Sequence, residues 1–309
     1  MIKDLKDNEK FNGNLMVNNF SKGVSNNGQP YLNITFQDAS GNIEGKKWEI
    51  SDNDLALVEV GKIIYVNAEV LKYRDKNQLK VLTLSEQKGE INLADYIKSA
   101  PVGKEELINK FLSYVDLIEY DDVKKIVSTI VEERFDKISE YPAATRNHHD
   151  YYCGLLHHTN GMLDLAKTIC DLHSNVDRSM LYAGAILHDI GKTVEFSGTI
   201  LPKYTIEGKL IGHISIMNTI VKETANKLGI NNERVMLLQH MVLSHHGKNE
   251  YGSPILPLTL EAEILTFIDN LDSRINMITK AINEVEEGEF TNHQYGLDGR
   301  CIYKPHKEK

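Results

Sequence analysis

The sequence contains few of the features that mark secreted, disulfide-rich or membrane proteins. It has only three cysteines in 309 residues, too few and too scattered for a disulfide framework or a Cys-x-x-Cys zinc site. No apolar run approaches the roughly 20 residues that span a bilayer, and the N-terminal stretch lacks the apolar segment of a secretory signal. We therefore expect a cytoplasmic protein without a membrane partner.

The charge of the chain is negative and unevenly distributed. The formal net charge of −9 repels nucleic acid when the whole chain is considered. Residues 1–88 carry 11 Lys and 1 Arg against 12 Asp and Glu, so the whole negative excess lies in residues 89–309. A carboxylate-rich metal site can sit in such a region, because a bound cation inverts the local charge. Net charge alone neither supports nor excludes a nucleic-acid substrate.

The first part of the chain alternates between apolar and polar residues, a period of two that is typical of half-buried strands. Leu32, Ile34 and Phe36, for example, share one face of a predicted strand. Several short strands separated by turn residues predict a small all-β, OB-like barrel. The predicted strands are residues 31–36, 43–50, 62–73 and 78–84.

The later part of the chain has helical rather than strand periodicity. Leu107, Phe111 and Val115 recur at helix spacing, and Ile126 and Ile130 begin a second apolar stripe. Gly and Pro fall mainly between these segments, where they end helices. We therefore expect an all-α domain after the barrel. The predicted division is a barrel at 1–88, a linker at 89–104, the helical domain at 105–287 and a C-terminal tail at 288–309.

Five sites in the helical part place histidine or aspartate on or beside the apolar face of a predicted helix. A lone histidine in such a position is usually a satisfied core residue. Inward histidines and carboxylates on successive helices would instead be costly to bury unless a cation gathers them. Imidazole nitrogen and carboxylate oxygen suit Mn, Fe, Co, Ni or Zn. The predicted ligands are His158, His188, Asp189, His213, His245, His246 and Asp269.

The ordered motifs GLLHHT, ILHDIGK, GHISI, LSHHG and FIDNLD resemble the HD superfamily of metal-dependent phosphohydrolases. The resemblance implies that His158, His188, Asp189 and Asp269 hold one metal. It also implies that Asp189 bridges to a second metal, whose other ligands are His213, His245 and His246. Lys192 matches a position that often meets substrate phosphate.

Three positions near these motifs stay open. His157 competes with His158 as the first ligand, because adjacent helical residues face about 100° apart. Asp272 lies one turn from Asp269 and is its rival. Some HD proteins carry a glutamate one turn before the first histidine, where this chain has Gly154; a third metal is therefore not expected.

The predicted chemistry follows from two adjacent metals. Such a pair can lower the pKa of a bridging water and clamp the attacking and leaving oxygens of a phosphodiester. Asp189 and Lys192 are the candidate catalytic residues, with Lys192 neutralising charge on the phosphate. No Ser-His-Asp or reactive-cysteine arrangement competes with this interpretation.

The barrel resembles OB-folds that bind single-stranded nucleic acid by stacking bases on aromatic side chains beside basic residues. The alternative is that these aromatics are core residues and the lysines only increase solubility. Tyr31 and Tyr65 are the best stacking candidates, because alternation places each opposite an apolar face. The predicted contacts in the barrel are Phe20, Tyr31, Trp48, Tyr65, Lys22 and Arg74.

Both halves together resemble the YhaM family of bacterial 3′→5′ exoribonucleases, which join an OB-fold to an HD domain. GKLIGHISI, LSHHGKNEYGSP and GEFTNHQYGLDGRCIYKP carry this resemblance beyond the metal ligands. It implies two divalent transition metals per chain, Mn²⁺ first, with Co²⁺, Fe²⁺ or Ni²⁺ as alternatives. It further implies release of nucleoside monophosphates from a single-stranded RNA 3′ end, some action on or binding to single-stranded DNA, and a phosphate contact at Arg300.

Two other functions are weighed against this exonuclease hypothesis. An HD phosphohydrolase of small nucleotides would use the barrel as a regulator, but a small substrate needs no strand-binding platform. A non-enzymatic nucleic-acid-binding replication factor would need only a structural metal, which the complete ligand set disfavours. The sequence leaves the native metal and the oligomeric state open, a homo-oligomer included.

Overall fold

The computed structural model describes residues 1–25, 27–74, 76–145 and 148–307. The chain separates into two compact units, Met1–Ser99 and Ala100–Lys309. The first unit is a five-stranded closed barrel and the second is helical, which confirms the predicted fold classes and their order.

The barrel strands are β1 Lys10–Val24, β2 Pro30–Asp38, β3 Gly41–Trp48, β4 Ile63–Tyr73 and β5 Lys76–Glu86. They are arranged in the order β1-β2-β3-β5-β4, and β1 pairs with β4 to close the sheet. β3 and β5 are parallel, and the other neighbouring pairs are antiparallel. This is an OB-like arrangement, as predicted.

The alternation in the sequence corresponds to the inner and outer faces of the barrel. The predicted inward residues Leu32, Ile34 and Phe36 of β2 are fully buried, and so are the alternate residues of β4 from Ile64 to Val70. Sequence patterning did not delimit β1, where a bulge between Val17 and Asn19 breaks the register with β2.

The barrel unit also includes features outside the predicted strands. A short helix, α1 (Asp52–Leu57), begins with a capping box formed by Ser51 and Asp54. The first part of the predicted linker is attached to the barrel. Gln37 donates to the Tyr96 carbonyl at 3.1 Å, and the Asp95 carbonyl accepts from the Ala39 amide at 2.9 Å.

The described part of the helical unit contains nine α-helices, and five of them carry the predicted metal ligands or end directly before them. The helices are α2 Lys104–Asp116, α3 Asp121–Glu140, α4 Gly154–Leu172, α5 Arg178–Leu187, α6 Lys192–Glu195, α7 Ile206–Ile211, α8 His213–Lys227, α9 Glu233–Ser244 and α10 Leu260–Ile282. Helix α4 packs against α2, α5 and α10, while α8 packs against α9. None of the helices described here is long and apolar enough to cross a membrane.

The described part of the C-terminal segment forms a short ribbon. Isolated bridges join Phe290 to Tyr303 and Gln294 to Arg300. The turn between them contains a 3-10 helix at Tyr295–Leu297, and Leu297 is fully buried.

Candidate metal centre

The predicted metal ligands come together from five helices of the second unit. His158 lies inside α4 and Asp269 inside α10, whereas the other residues lie at helix ends. His188 and Asp189 directly follow α5, and His213 is the first residue of α8. His245 and His246 follow the last residue of α9. The helix ends leave room for adjacent residues to turn toward one centre.

The ILHDIGK motif requires glycine where two helices approach each other. A Cβ atom on Gly191 would lie 2.2 Å from the backbone oxygen of His213. The absence of a side chain lets the turn after His188-Asp189 rest directly on the start of α8. This contact brings the Asp189 carboxylate to the His213 ring.

Asp189 lies at the centre of the cluster. Its Oδ2 is 3.2 Å from His188 Nε2, and its Oδ1 is 3.4 Å from His213 Nε2 and 3.7 Å from His245 Nε2. On the far side, His158 Nε2 is 3.2 Å from Asp269 Oδ1. These distances place nitrogen and oxygen donors around a common small volume.

The inward-facing atoms of this cluster are buried without hydrogen bonds. An unsatisfied buried polar atom costs about 1–3 kcal/mol, so five around one centre are expensive unless a cation binds them. This donor set fits a divalent transition metal. The five atoms of the cluster are Asp189 Oδ1 and the Nε2 atoms of His158, His188, His213 and His245, and none of them has a hydrogen-bond partner among the described residues.

The other ring nitrogen of each histidine, Nδ1, forms a hydrogen bond on the side of the ring that faces away from the cluster. Backbone carbonyls can only accept, so His188 Nδ1 donates to Ala185 at 2.8 Å and His245 Nδ1 donates to Val242 at 2.7 Å. His246 Nδ1 donates likewise to the Tyr251 carbonyl at 2.8 Å. A proton on Nδ1 leaves the Nε2 lone pair free, which is the tautomer that binds a metal.

Carboxylates hold the remaining two histidines. His213 Nδ1 lies 3.1 Å from Glu195 Oε1, which also accepts from the His213 amide. Asp272 Oδ2 lies 2.7 Å from His158 Nδ1 and 2.7 Å from His149 Nε2. Asp272 therefore supports His158 from behind, while Asp269 faces the inward Nε2.

The two other open positions are also distinguished by geometry. His157 Nδ1 lies 2.7 Å from the Tyr151 hydroxyl and is directed away from the cluster. A Cβ atom at Gly154 would lie only 2.0 Å from the His149 carbonyl oxygen. No side chain, and so no extra carboxylate ligand, can be accommodated there.

Two overlapping groups of donors share Asp189, and a third group, formed by His149, His158 and Asp272, lies on the other side of the His158 ring. One group contains His158, His188 and Asp189. The other contains Asp189, His213, His245 and His246. Within each group the ligand atoms lie within 4.8 Å of one another, which is close enough for them to hold a cation.

Lys192 is a buried cation beside this cluster. Its Nζ donates to Asp189 Oδ2 at 2.6 Å. Burial raises the pKa of Asp189, but the charge of the neighbouring Lys192 ammonium outweighs burial and helps to hold it well below its usual value. Burial lowers the pKa of Lys192, yet Asp189 raises it above its usual value overall. Lys192 is therefore positively charged, and Asp189 is an anion.

A cleft of about 400 Å³ opens onto the cluster. Arg300 is not among its lining residues; its Nε donates to the Leu297 carbonyl at 3.0 Å. Arg274 of α10 lines the cleft. The lining includes His148, Asp189, Lys192, His245, His246, Tyr251, Asp269, Asn270, Arg274, Met277, Tyr295 and Asp298.

In the barrel, Tyr31 and Trp48 form one aromatic surface. They are opposed in the β2–β3 register, and their ring centroids are 4.8 Å apart. Lys46 Nζ lies 4.9 Å from the Tyr31 ring centroid and 5.4 Å from that of Trp48. Two adjacent rings beside a cation provide the elements of a base-stacking platform.

The structure does not bring the other predicted barrel contacts to this surface. Phe20 and Lys22 are opposed to the inward residues Ile34 and Leu32, and Phe20 packs against the barrel core. Opposed residues share a face, so both belong to the side opposite Tyr31. For Phe20 this agrees with the alternative that it is a core residue.

Tyr65 and Arg74 lie on separate parts of the barrel. Tyr65 is opposed to Asn14 on β1, nine residues from Gly23, the partner of Tyr31. Nine residues of strand extend about 30 Å. Lys88 Nζ lies 3.7 Å from the Tyr65 ring centroid, and Arg74 lies 5.4 Å from that of Tyr73.

Sequence reasoning missed several residues of the site. Asp272, Glu195 and His149 support the ligands, and Arg274 and Tyr295 line the cleft. The sequence presents Asp272 only as a rival ligand, because no periodic signal separates a supporting carboxylate from a ligand. Arg274 gives no such signal either, because it follows Asp269 by five residues and only residues three or four apart share a helix face.

Histidines and aspartates that converge from successive helices define the HD class, and the HD-domain family model matches residues 155–274. A protein of Geobacillus sp. (strain WCH70), named 3′-5′ exoribonuclease YhaM, is 41% identical over 293 residues, 94% of this chain and 90% of the relative. The proteins of the same name from Bacillus subtilis (strain 168) and Bacillus pumilus (strain SAFR-032) are 42% and 40% identical. These matches cover 94% and 96% of this chain, and 93% and 95% of the relatives. The chain belongs to the YhaM family.

Proposed function

We propose that this protein is a metal-dependent 3′→5′ exoribonuclease that shortens single-stranded RNA to nucleoside monophosphates. The observation that carries the proposal is the set of five buried, unpaired donor atoms around Asp189. The printed names of the relatives supply the polarity and the RNA substrate. We further propose that single-stranded DNA is accepted, because base stacking does not depend on the sugar.

In this proposal two cations bind to the overlapping donor groups. His158, His188, Asp189 and Asp269 would hold one, and the second would use Asp189 together with His213, His245 and His246. The donors are imidazoles and carboxylates without a thiolate, a combination that suits Mn²⁺ and also Co²⁺, Fe²⁺ or Ni²⁺. The fixed Nδ1 tautomers support this ligand assignment.

A divalent cation bound here supplies Lewis-acid stabilisation of charge on phosphoryl oxygens. Asp189 and Lys192 act beside it as the catalytic residues. The Lys192 ammonium, buried 2.6 Å from Asp189, contributes a further positive charge that is weakly screened by water. Burial of the cluster under five helices holds these groups in place, so little reorganisation accompanies charge development.

The barrel would hold the part of the strand that lies away from the cleavage site. Tyr31 and Trp48 stack on successive bases, and Lys46 meets the backbone. Such contacts do not read base identity, so degradation should be largely independent of sequence. A cytoplasmic location and a homo-oligomeric state stay predictions.

The test uses a 5′-labelled RNA with a duplex followed by a single-stranded 3′ tail, incubated with Mn²⁺. A ladder of labelled intermediates that stalls near the duplex supports the proposal. Asp189→Asn should abolish cleavage while circular dichroism stays unchanged, whereas Asp121→Asn, an exposed aspartate of the same unit, should retain full activity.

Other results would contradict the proposal in distinct ways. Immediate release of a labelled mononucleotide means the opposite polarity, and a few internal cuts mean an endonuclease. Hydrolysis of cyclic dinucleotides or nucleoside triphosphates without RNA cleavage would favour the small-nucleotide alternative. If the protein binds RNA or DNA but hydrolyses neither with any added metal ion, the result would favour a non-enzymatic nucleic-acid-binding factor.

A further inference from the structure

The C-terminal ribbon ends in a tightly hydrogen-bonded turn. The Gln294 carbonyl accepts from the Leu297 amide at 2.9 Å and from the Gly299 amide at 3.1 Å, while the Gln294 amide donates to the Arg300 carbonyl at 3.0 Å. Leu297 is fully buried and fixes the turn to the helical unit. The backbone at the tip of the ribbon is therefore held in one position.

This rigid tip carries an exposed aromatic ring. Tyr295 is 95% exposed, although it lies between well-bonded residues, and it lines the cleft that contains Asp189 and Lys192. A second half-exposed tyrosine, Tyr251, lines the same cleft and accepts from His246 Nδ1 through its carbonyl. Apolar ring surface held in water beside a metal centre is available to stack on a ligand.

A guanidinium group is fixed next to this ring. Arg274 Nη2 lies 3.0 Å from Asp298 Oδ2 in the same turn, and the Arg274 side chain is 28% exposed in the cleft. The planar guanidinium retains donors that suit phosphate oxygens. Asp298 therefore aligns Arg274 while leaving part of its donor edge accessible.

We propose that Tyr295 and Arg274 form a binding subsite for the 3′ end of a single strand. The Tyr295 ring stacks on a nucleobase next to the scissile phosphate, and Arg274 contacts a phosphate of the same strand. This subsite deepens the proposed exonuclease function and rests on it. It gives the C-terminal ribbon the task of positioning the strand end, separately from the barrel.

The test measures coupling between the ring and the base. One set of RNA hexamers carries an abasic residue at the 3′-terminal or the penultimate position, and a second set is intact. KM and kcat are measured for both sets with the parent protein and with Tyr295→Ala. Stacking predicts that Tyr295→Ala raises KM for the intact hexamer about 5- to 150-fold. The abasic substitution should raise the KM of the parent by a similar factor and change the KM of the Tyr295→Ala variant little. Tyr295→Phe should behave as the parent.

Controls separate this subsite from the overall function. Tyr204→Ala removes another half-exposed tyrosine, one outside the cleft, and should leave KM unchanged. Arg274→Gln should raise KM and flatten its salt dependence, because one phosphate contact is lost. Equal KM values for the parent and Tyr295→Ala, or independent effects of ring and base, would overturn the subsite while RNA degradation persists. A parent that degrades no RNA would instead refute the proposed function.

Discussion

Gly161 of α4 offers a selective way to disturb the support of His158, a proposed metal ligand. It lies inside a helix, where replacing Gly by Ala ordinarily stabilises by about 1 kcal/mol. A Cβ atom at this position would lie 2.4 Å from Asp272 Oδ1, too close for the carboxylate to stay where it is. Gly161→Ala therefore moves Asp272 without changing its chemistry.

The magnitude follows from the bonds that Asp272 makes. Its Oδ2 accepts from His158 Nδ1 and His149 Nε2, each at 2.7 Å, and hydrogen bonds to a charged group contribute about 1.5–3 kcal/mol each. Loss of one bond exceeds the gain in helix propensity, so we expect Gly161→Ala to lower stability. Loss of a group that orients a metal-binding histidine typically costs 10–100-fold in metal affinity.

The assay is competition between the protein and a chelating dye for Mn²⁺ or Co²⁺, with thermal unfolding measured in parallel. Asp272→Asn should lower the affinity in the same direction, because it removes the charge from the same position. Thr168→Ala on the exposed face of α4 serves as the control and should leave the affinity unchanged. A Gly161→Ala protein that is more stable and binds metal as well as the parent would refute the role of Asp272.

Three further predictions concern the substrate and the thiols. Lys192→Ala should lower kcat more than it raises KM, since the charge that it offsets is greatest in the transition state; a pure KM effect would contradict that role. Trp48→Ala should weaken binding of long RNA and leave dinucleotide cleavage unchanged, and equal losses on both substrates would contradict a separate platform. Burial raises the pKa of Cys153 to about 11, so its thiolate is scarce below that pH. Alkylation near pH 8 should therefore modify exposed Cys301 first, and Cys301→Ser should remove the fast phase.

Periodicity predicted those parts of the fold in which one face is uniformly buried. The inward residues of β2 and β4 alternate without interruption, and all are fully buried. The pattern did not predict β1, because its bulge at Val17–Asn19 shifts the alternation by one residue. The predicted strand at 43–50 extended two residues too far, because Ile50 is apolar but follows the end of β3 at Trp48.

The residues of the cluster could be predicted from the sequence as candidate ligands, but the residues that support them could not. A charged or imidazole group on an apolar helix face is visible in a sequence because it is costly to bury alone. Asp272 and His149 are separated by 123 residues and meet only in the folded helical unit. Their partnership has no local pattern, so only the assembled geometry shows that Asp272 faces Nδ1 of His158.

The helix ends explain how two adjacent residues can both serve one centre. Within a helix, neighbours diverge by about 100°, and His157 accordingly bonds to Tyr151 while His158 faces the cluster. His245 and His246 escape this restriction because α9 ends at Ser244. The centroids of their two rings are then 4.3 Å apart.

Extending α9 through His245 and His246 should therefore turn one ring away from the centre. Gly247→Ala favours helix at this point and is strained at φ +75°, so it should weaken metal binding. Unchanged affinity in that variant would show that the break after Ser244 is not needed to place both rings.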